Sequence, residues 1–412
     1  MKRSNKKGFT IVELVIVIAV IAILAAVLIP TIAGLVRKAN ISSDTVVAKN
    51  LNTALAMADG EIADFDAALA AIKSAGYIVP NLNAKADECY FVWDQESKQI
   101  ILVDGKDDYS VIYSNKEYSQ DKENWFIAVS DGTLAATIEA ANPGATIVYT
   151  PESKKDLLTA FTNLSNKSGK QSVYIGEDIN LSKSGEIFKL DNANADVTVD
   201  FSGATVNCAG AIDINDYEYG TADRAFTVEN AQSLTVSNGT LNAGDTYGTV
   251  AVDSATTVNV KNMTLINSYA NGLNLKTRIA GAVIDIKDTV IEATTGGGAE
   301  AAYGTINFTN VTIDQKGAVY DHCSTCIAVS YGGVANVYSG KYSSENGYIL
   351  SIFSSGGTIN VYGGSFEVDG TFKDFDEMTR TDWEAIFTAT GCASFTIDDS
   401  DPKKVVFTGV GV

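Results

Sequence analysis

The sequence predicts a long amino-terminal α-helix with a small α+β head, followed by a right-handed parallel β-helix. Three observations carry that expectation. Leu14–Ile29 is an unbroken apolar run. A helical segment and two β-rich runs around a polar turn follow within residues 61–117. From Leu234 onward an eight-residue template recurs at spacings of 24, 26, 22, 29 and 24 residues.

The apolar run, extended by Phe9–Val12 and Ile32–Ala33, is long enough to cross a bilayer. Lys2, Arg3, Lys6 and Lys7 precede it and hold that end in the cytoplasm, which places the bulk of the chain outside. A secretory signal carries its small-residue cleavage site after the apolar core. Here the small residue, Gly8, comes before the core, so cleavage there leaves the helix on the mature chain. Glu13 is the anomaly, because a carboxylate in hydrocarbon costs about 2.5–3.5 kcal/mol at a helix centre, less near an end, and usually has a partner.

The stretch KKGFTIVELVIVIAVIAILAAVLIP resembles the class III leader of type IV pilins and type II secretion pseudopilins, as far as about residue 40. The resemblance implies that residues 1–8 are a leader, that a prepilin peptidase cuts after Gly8, and that the new amino terminus at Phe9 is methylated. It also implies that Glu13 is the assembly acid and Pro30 the proline that kinks the long helix. The amine freed at Phe9 lies one helical turn from Glu13, and in a bundle of identical helices it can pair with Glu13 of the next subunit. An uncleaved signal anchor with a stray acid is the alternative.

Beyond Pro30, Leu35, Val36, Ala39, Val46, Val47, Leu51 and Leu55 keep helical spacing, so residues 9–60 read as one helix of about 75 Å at 1.5 Å per residue. A second helix over Asp64–Ser74 and a hairpin of Tyr90–Trp93 with Gln99–Val103 form the head, residues 61–117. Residues 118–152 read as a connecting region. An amphipathic helix, Lys154–Leu164, resembles the cap on the first coil of many β-helices, shielding an open sheet edge.

The repeats are LTVSNGTL, VNVKNMTL, IDIKDTVI, INFTNVTI, ANVYSGKY and INVYGGSF, with VDFSGATV from Val199 as an earlier copy. Positions one and three are apolar and alternate with polar ones, so they point into the coil. Position five is Asn238, Asn262, Asp288, Asn310, Ser339 or Gly363, residues that tolerate a sharp turn. Residues 153–370 therefore read as a solenoid similar to the pectate lyase-like superfold, with 371–412 as its closure. An antiparallel sandwich would not produce the recurring columns.

Composition sets further bounds. Fifty acidic against 30 basic residues give −20, and removing the four leader basics takes this to −24, which repels nucleic acid. Five cysteines are too few for a disulfide scaffold. Cys323 and Cys326, beside His322, read as a short-range disulfide or as two thiols in an anaerobic organism; with no second Cys-x-x-Cys, no metal is expected. The sequence lacks the histidine and Arg-x-Lys motifs of β-helix hydrolases, and acids such as Asp213 and Asp216 read as a solvated face, so neither catalysis nor a cofactor is expected. Position four points outward and carries Tyr338 and Tyr362, candidates for stacking on a sugar ring, with Tyr331 and Tyr348 as nearby candidates.

The resulting expectation is a minor or specialised pilin-like subunit that displays its β-helix for adhesion or glycan binding. Its partners would be prepilin peptidase, other pilin subunits with their assembly machinery, and membrane lipid before assembly. It would pass from the cytoplasmic membrane to the cell surface. A secretion pseudopilin and a filament-displayed polysaccharide lyase or hydrolase are the alternatives.

Overall fold

The computed structural model describes residues 11–181, 188–208, 224–243, 248–267, 273–294, 297–316, 325–345, 348–352, 357–368, 395–397 and 404–407. The chain forms two compact units, Met1–Tyr77 with Asn83–Ile127, and Ile78–Leu82 with Ala128–Val412.

In the first unit, helix α1 spans Ile11–Met57 and α2 spans Phe65–Ser74, the latter capped by the Asp64 carboxylate, which accepts from Ala67 N. Strands β1 (Cys89–Asp94) and β2 (Gln99–Asp104) pair antiparallel, and β3 (Ser110–Tyr113) extends the sheet beside β2. The region expected to be a connector contributes instead to this sheet: β4 (Trp125–Val129) pairs its first three residues with β1. Asp94, fully buried, fastens that region by accepting from Ser119 N at 2.7 Å, and Trp125 Nε1 donates to the Ser119 carbonyl.

The amphipathic reading of α1 holds only in part. Leu35, Val36 and Val46 are exposed, whereas the buried face of the lower helix is Asp44, Ala48, Leu51, Asn52, Ala54 and Leu55. Its two polar members do the work of a neighbouring strand. Asn52 donates to the Ile100 carbonyl at 2.7 Å and accepts from Ile100 N at 2.8 Å, while Asp44 accepts from Lys85 N and Ala86 N. Buried amides left unpaired would each cost roughly 1–3 kcal/mol, so these side chains fix how α1 sits on the sheet.

Arg37 adds a charged latch, 2.6 Å from Asp104. Burial pulls the Asp104 carboxyl upward, but its hydrogen bond from Arg37 and the Lys106 amide outweigh this and hold it below the usual range. A depressed folded pKa stabilises above the ordinary carboxylate range and is lost as pH falls through the folded value. Arg37→Ala is therefore expected to cost about 1–3 kcal/mol at neutral pH and to flatten the acid limb of stability; urea titrations across pH check both.

In the second unit, α3 (Ala135–Ala141) and α4 (Lys154–Ser165) precede the solenoid, and α4 buries Leu157, Ala160, Phe161 and Leu164. Strands then stack in parallel in three sheets. Sheet I starts with Thr146–Tyr149 and Gly169–Tyr174 and ends with Thr358–Val361. Sheet II runs from Ile179–Leu181 to Gly364–Val368, where Lys404–Phe407 adds antiparallel. Sheet III runs from Phe188–Leu190, the first residues of a longer strand, to Tyr348–Ile352.

The template is also the register. Leu234, Val258, Ile284, Ile306, Ala335 and Ile359 pair in succession down sheet I, each nearly or fully buried. Position eight forms a second inward column, Leu241, Leu265, Ile291, Ile313, Tyr342 and Phe366, on sheet II. The early copy is displaced: Val197, not Val199, pairs with Leu234, a slip of two that keeps Val199 inward. The cause is its corner, where Ser202 and Gly203 both take positive φ and lengthen the turn.

The corner after sheet I uses left-handed backbone at position five in four coils, Asn238 (φ 64), Asn262 (52), Asp288 (50) and Asn310 (52). In the last two coils the positive φ moves to position six, Gly340 (136) and Gly364 (120). A Cβ at Gly340 would lie 2.0 Å from the Val311 carbonyl oxygen. Gly340→Ala is expected to cost about 2 kcal/mol or more through strain at a backbone conformation that alanine resists, measurable as a lowered urea midpoint.

Candidate functional site

Two regions of the described residues stand out for the side chains they expose. The first is α1, which is long and apolar enough to cross a membrane, with none of its most apolar window buried. Glu13 lies exposed on its first turns, among Ile11, Val12, Leu14 and Val15. Pro30 stands inside the helix, where it withholds an N–H, and the neighbouring Thr31 hydroxyl donates to the Val27 carbonyl at 2.8 Å. Gly8 and Phe9 lie outside the described residues.

The second region is the outer face of sheet I in its last three described coils. Tyr338 and Tyr362 are there as expected, stacked at 5.1 Å between centroids and inclined by 10°. Coil spacing explains the stack, because equivalent residues in successive coils sit about 4.8 Å apart. Each ring therefore gives one face to the other, and their edges and hydroxyls remain for a ligand.

A second pair, Tyr303 and Tyr331, borders the opposite side of the same sheet, 5.0 Å apart and inclined by 10°. These are the more exposed rings, at 46% and 61%. The template could not show their pairing, since both fall in the turn before it begins.

Between the pairs runs a ladder of amides at position two. Asn307 donates to Asp285 at 2.6 Å, Asn336 to Asn307 at 2.7 Å, and Asn360 to Asn336 at 2.8 Å. Corner ladders have the same polarity: Asn262 donates to Asn238 and Asn310 to Asp288, always toward the earlier coil. An aspartate can only accept in this scheme, so Asp285 and Asp288 begin ladders and cannot continue them.

Of the expected cysteine pair, only Cys326 lies among the described residues. Cys326 is a free, fully buried thiol whose Sγ donates to the Ser343 carbonyl at 3.2 Å, and burial raises its pKa. Cys323, His322, Asp213 and Asp216 lie outside the described residues. Ion pairs join neighbouring coils at Lys276 with Glu300, 2.6 Å apart, and at Arg278 with Asp253, 3.2 Å apart.

Comparison with known proteins bears on the first region. The family model that matches is the prokaryotic N-terminal methylation motif, over residues 3–29. The type IV wide pilus major component PilA4 of Thermus thermophilus is 59% identical over 51 residues, which are 12% of this chain and 37% of that relative. The chain thus spans little more than a third of the relative's length. No solved structure matches. With the apolar helix bearing Glu13 and the stacked parallel sheets behind it, the chain is type IV pilin-like at its amino terminus and carries a β-solenoid domain.

Proposed function

We propose that this chain is a specialised subunit of a type IV pilin-like filament that displays its solenoid outside the cell for attachment to a surface ligand. The observation that supports this most is the joining of a methylation-motif helix, with none of its most apolar window buried, to a solenoid several times larger than the head. The helix stores apolar surface that only lipid or other helices can cover. Prepilin peptidase releases the amine of Phe9, the membrane holds the subunit, and the assembly machinery moves it into a bundle where Glu13 meets the amine of a neighbour.

A domain of this bulk must fit around a closely packed helical core, which favours a minor over a major subunit. The role assigned to the solenoid is binding rather than turnover. Shearing cells and probing the filament fraction with antibody against the solenoid tests the proposal. Recovery with filaments supports it. Recovery in membranes alone, with no surface labelling, contradicts it.

A further inference from the structure

Resting on the attachment role proposed above, we infer that the ligand is a neutral glycan and that it lies on the outer face of sheet I across the coils at 303–309, 331–338 and 357–362. Three features of that face converge. The first is charge. In a chain of 412 residues with 80 charged side chains, these three segments contain none, whereas the preceding coil carries Asp285, Lys287 and Asp288. A polyuronate or a nucleic acid would find no cation there, and a cationic peptide no carboxylate.

The second is hydrogen-bonding capacity. Each ladder amide has two donors and two acceptor sites, and the ladder engages one of each at Asn307 and Asn336. One N–H and one lone pair per side chain remain, repeated once per coil about every 4.8 Å. A hydroxyl both donates and accepts, so a row of such amides suits a chain of sugars aligned with the solenoid axis.

The third is the border. Tyr303 with Tyr331 on one side and Tyr338 with Tyr362 on the other rise from the same three coils. Tyr331 and Tyr338 are seven residues apart in one coil, no more than about 23 Å at about 3.3 Å per residue. Aromatic edges with hydroxyls suit a partner that is apolar on some faces and polar on others, as a pyranose is. The floor between them, Thr305, Val334 and Thr358, is half-buried to exposed.

The test uses the full chain in detergent, titrated with a neutral β-glucan, a galactomannan and dextran, and with polygalacturonate and alginate. At least one neutral polymer is expected to bind and neither uronate. Val334→Glu and Thr358→Glu each place a charge on the floor without entering the core, and each is expected to weaken binding at least tenfold. Lys341→Gln, on sheet II, is expected to change it less than twofold, with unfolding midpoints showing that all variants fold.

Binding to a uronate in preference, or to no neutral polymer, overturns the neutral-glycan assignment. Neutral-glycan binding that survives both glutamates overturns the face. Neither result removes the attachment role, which fails separately if cells lacking the protein attach to surfaces as well as the parent.

Discussion

Glu13→Ala is expected to leave the protein in the membrane and to remove it from filaments by about a hundredfold or more. Insertion gains from the change, because alanine in hydrocarbon carries no desolvation cost. Assembly loses, because the Phe9 amine is then buried in the helical bundle without its carboxylate. Removing one partner of a buried ion pair costs about 3–5 kcal/mol, and each 1.4 kcal/mol is tenfold in a binding constant. Glu13→Gln should recover only part of the loss, since an amide accepts a hydrogen bond but carries no charge. Quantitative blotting of sheared filaments against membranes measures the ratio, and normal incorporation of the alanine variant would contradict the pairing.

Phe308→Ala carries the largest expected effect on the solenoid. Phe308 is fully buried and meets Tyr342 edge to face, with centroids 6.3 Å apart, while Tyr342 stacks on Phe366 at 5.0 Å. Truncating a buried phenylalanine costs about 3–5 kcal/mol through lost burial and the cavity left behind. Tyr338→Ala, next door but on the outside, removes one exposed stack and should cost no more than about 1.5 kcal/mol. Urea unfolding followed by intrinsic fluorescence separates the two, and equal losses would contradict the assignment of inner and outer aromatics.

These contrasts show what was legible in the sequence. The alternation at positions one and three exposed the inward columns because strand side chains repeat every two residues, and the six late copies fix the register residue by residue. The early copy from Val199 misled by two because a corner with two left-handed residues changes the count without changing the alternation. Turn-tolerant residues at position five marked the corner in four coils. In the last two the same turn slides onto the following glycine, which a column of residue types does not distinguish.

Polar residues that act as structural parts were not legible. Asn52, Asp44 and Asp94 look like solvated side chains in the sequence, yet each satisfies buried backbone groups of segments at least 25 residues away. Tyr303 escaped for a related reason: its partnership with Tyr331 arises from stacking of turns, not from any periodic pattern within the strands. The amide ladder was half visible, since the residue types recur at position two while their common direction depends on coordinates. The amino-terminal segment was the most legible, because Gly8, Phe9 and Glu13 fall within residues 3–29, which match the methylation motif, and the apolar run folds as one helix.

The measurement that bears most directly on the account is mass spectrometry of the protein's amino-terminal peptide from sheared filaments. The account predicts a chain that begins at Phe9 with one methyl group on its amine. A chain in that fraction that begins at Met1, or one that begins elsewhere with an unmodified amine, would contradict it.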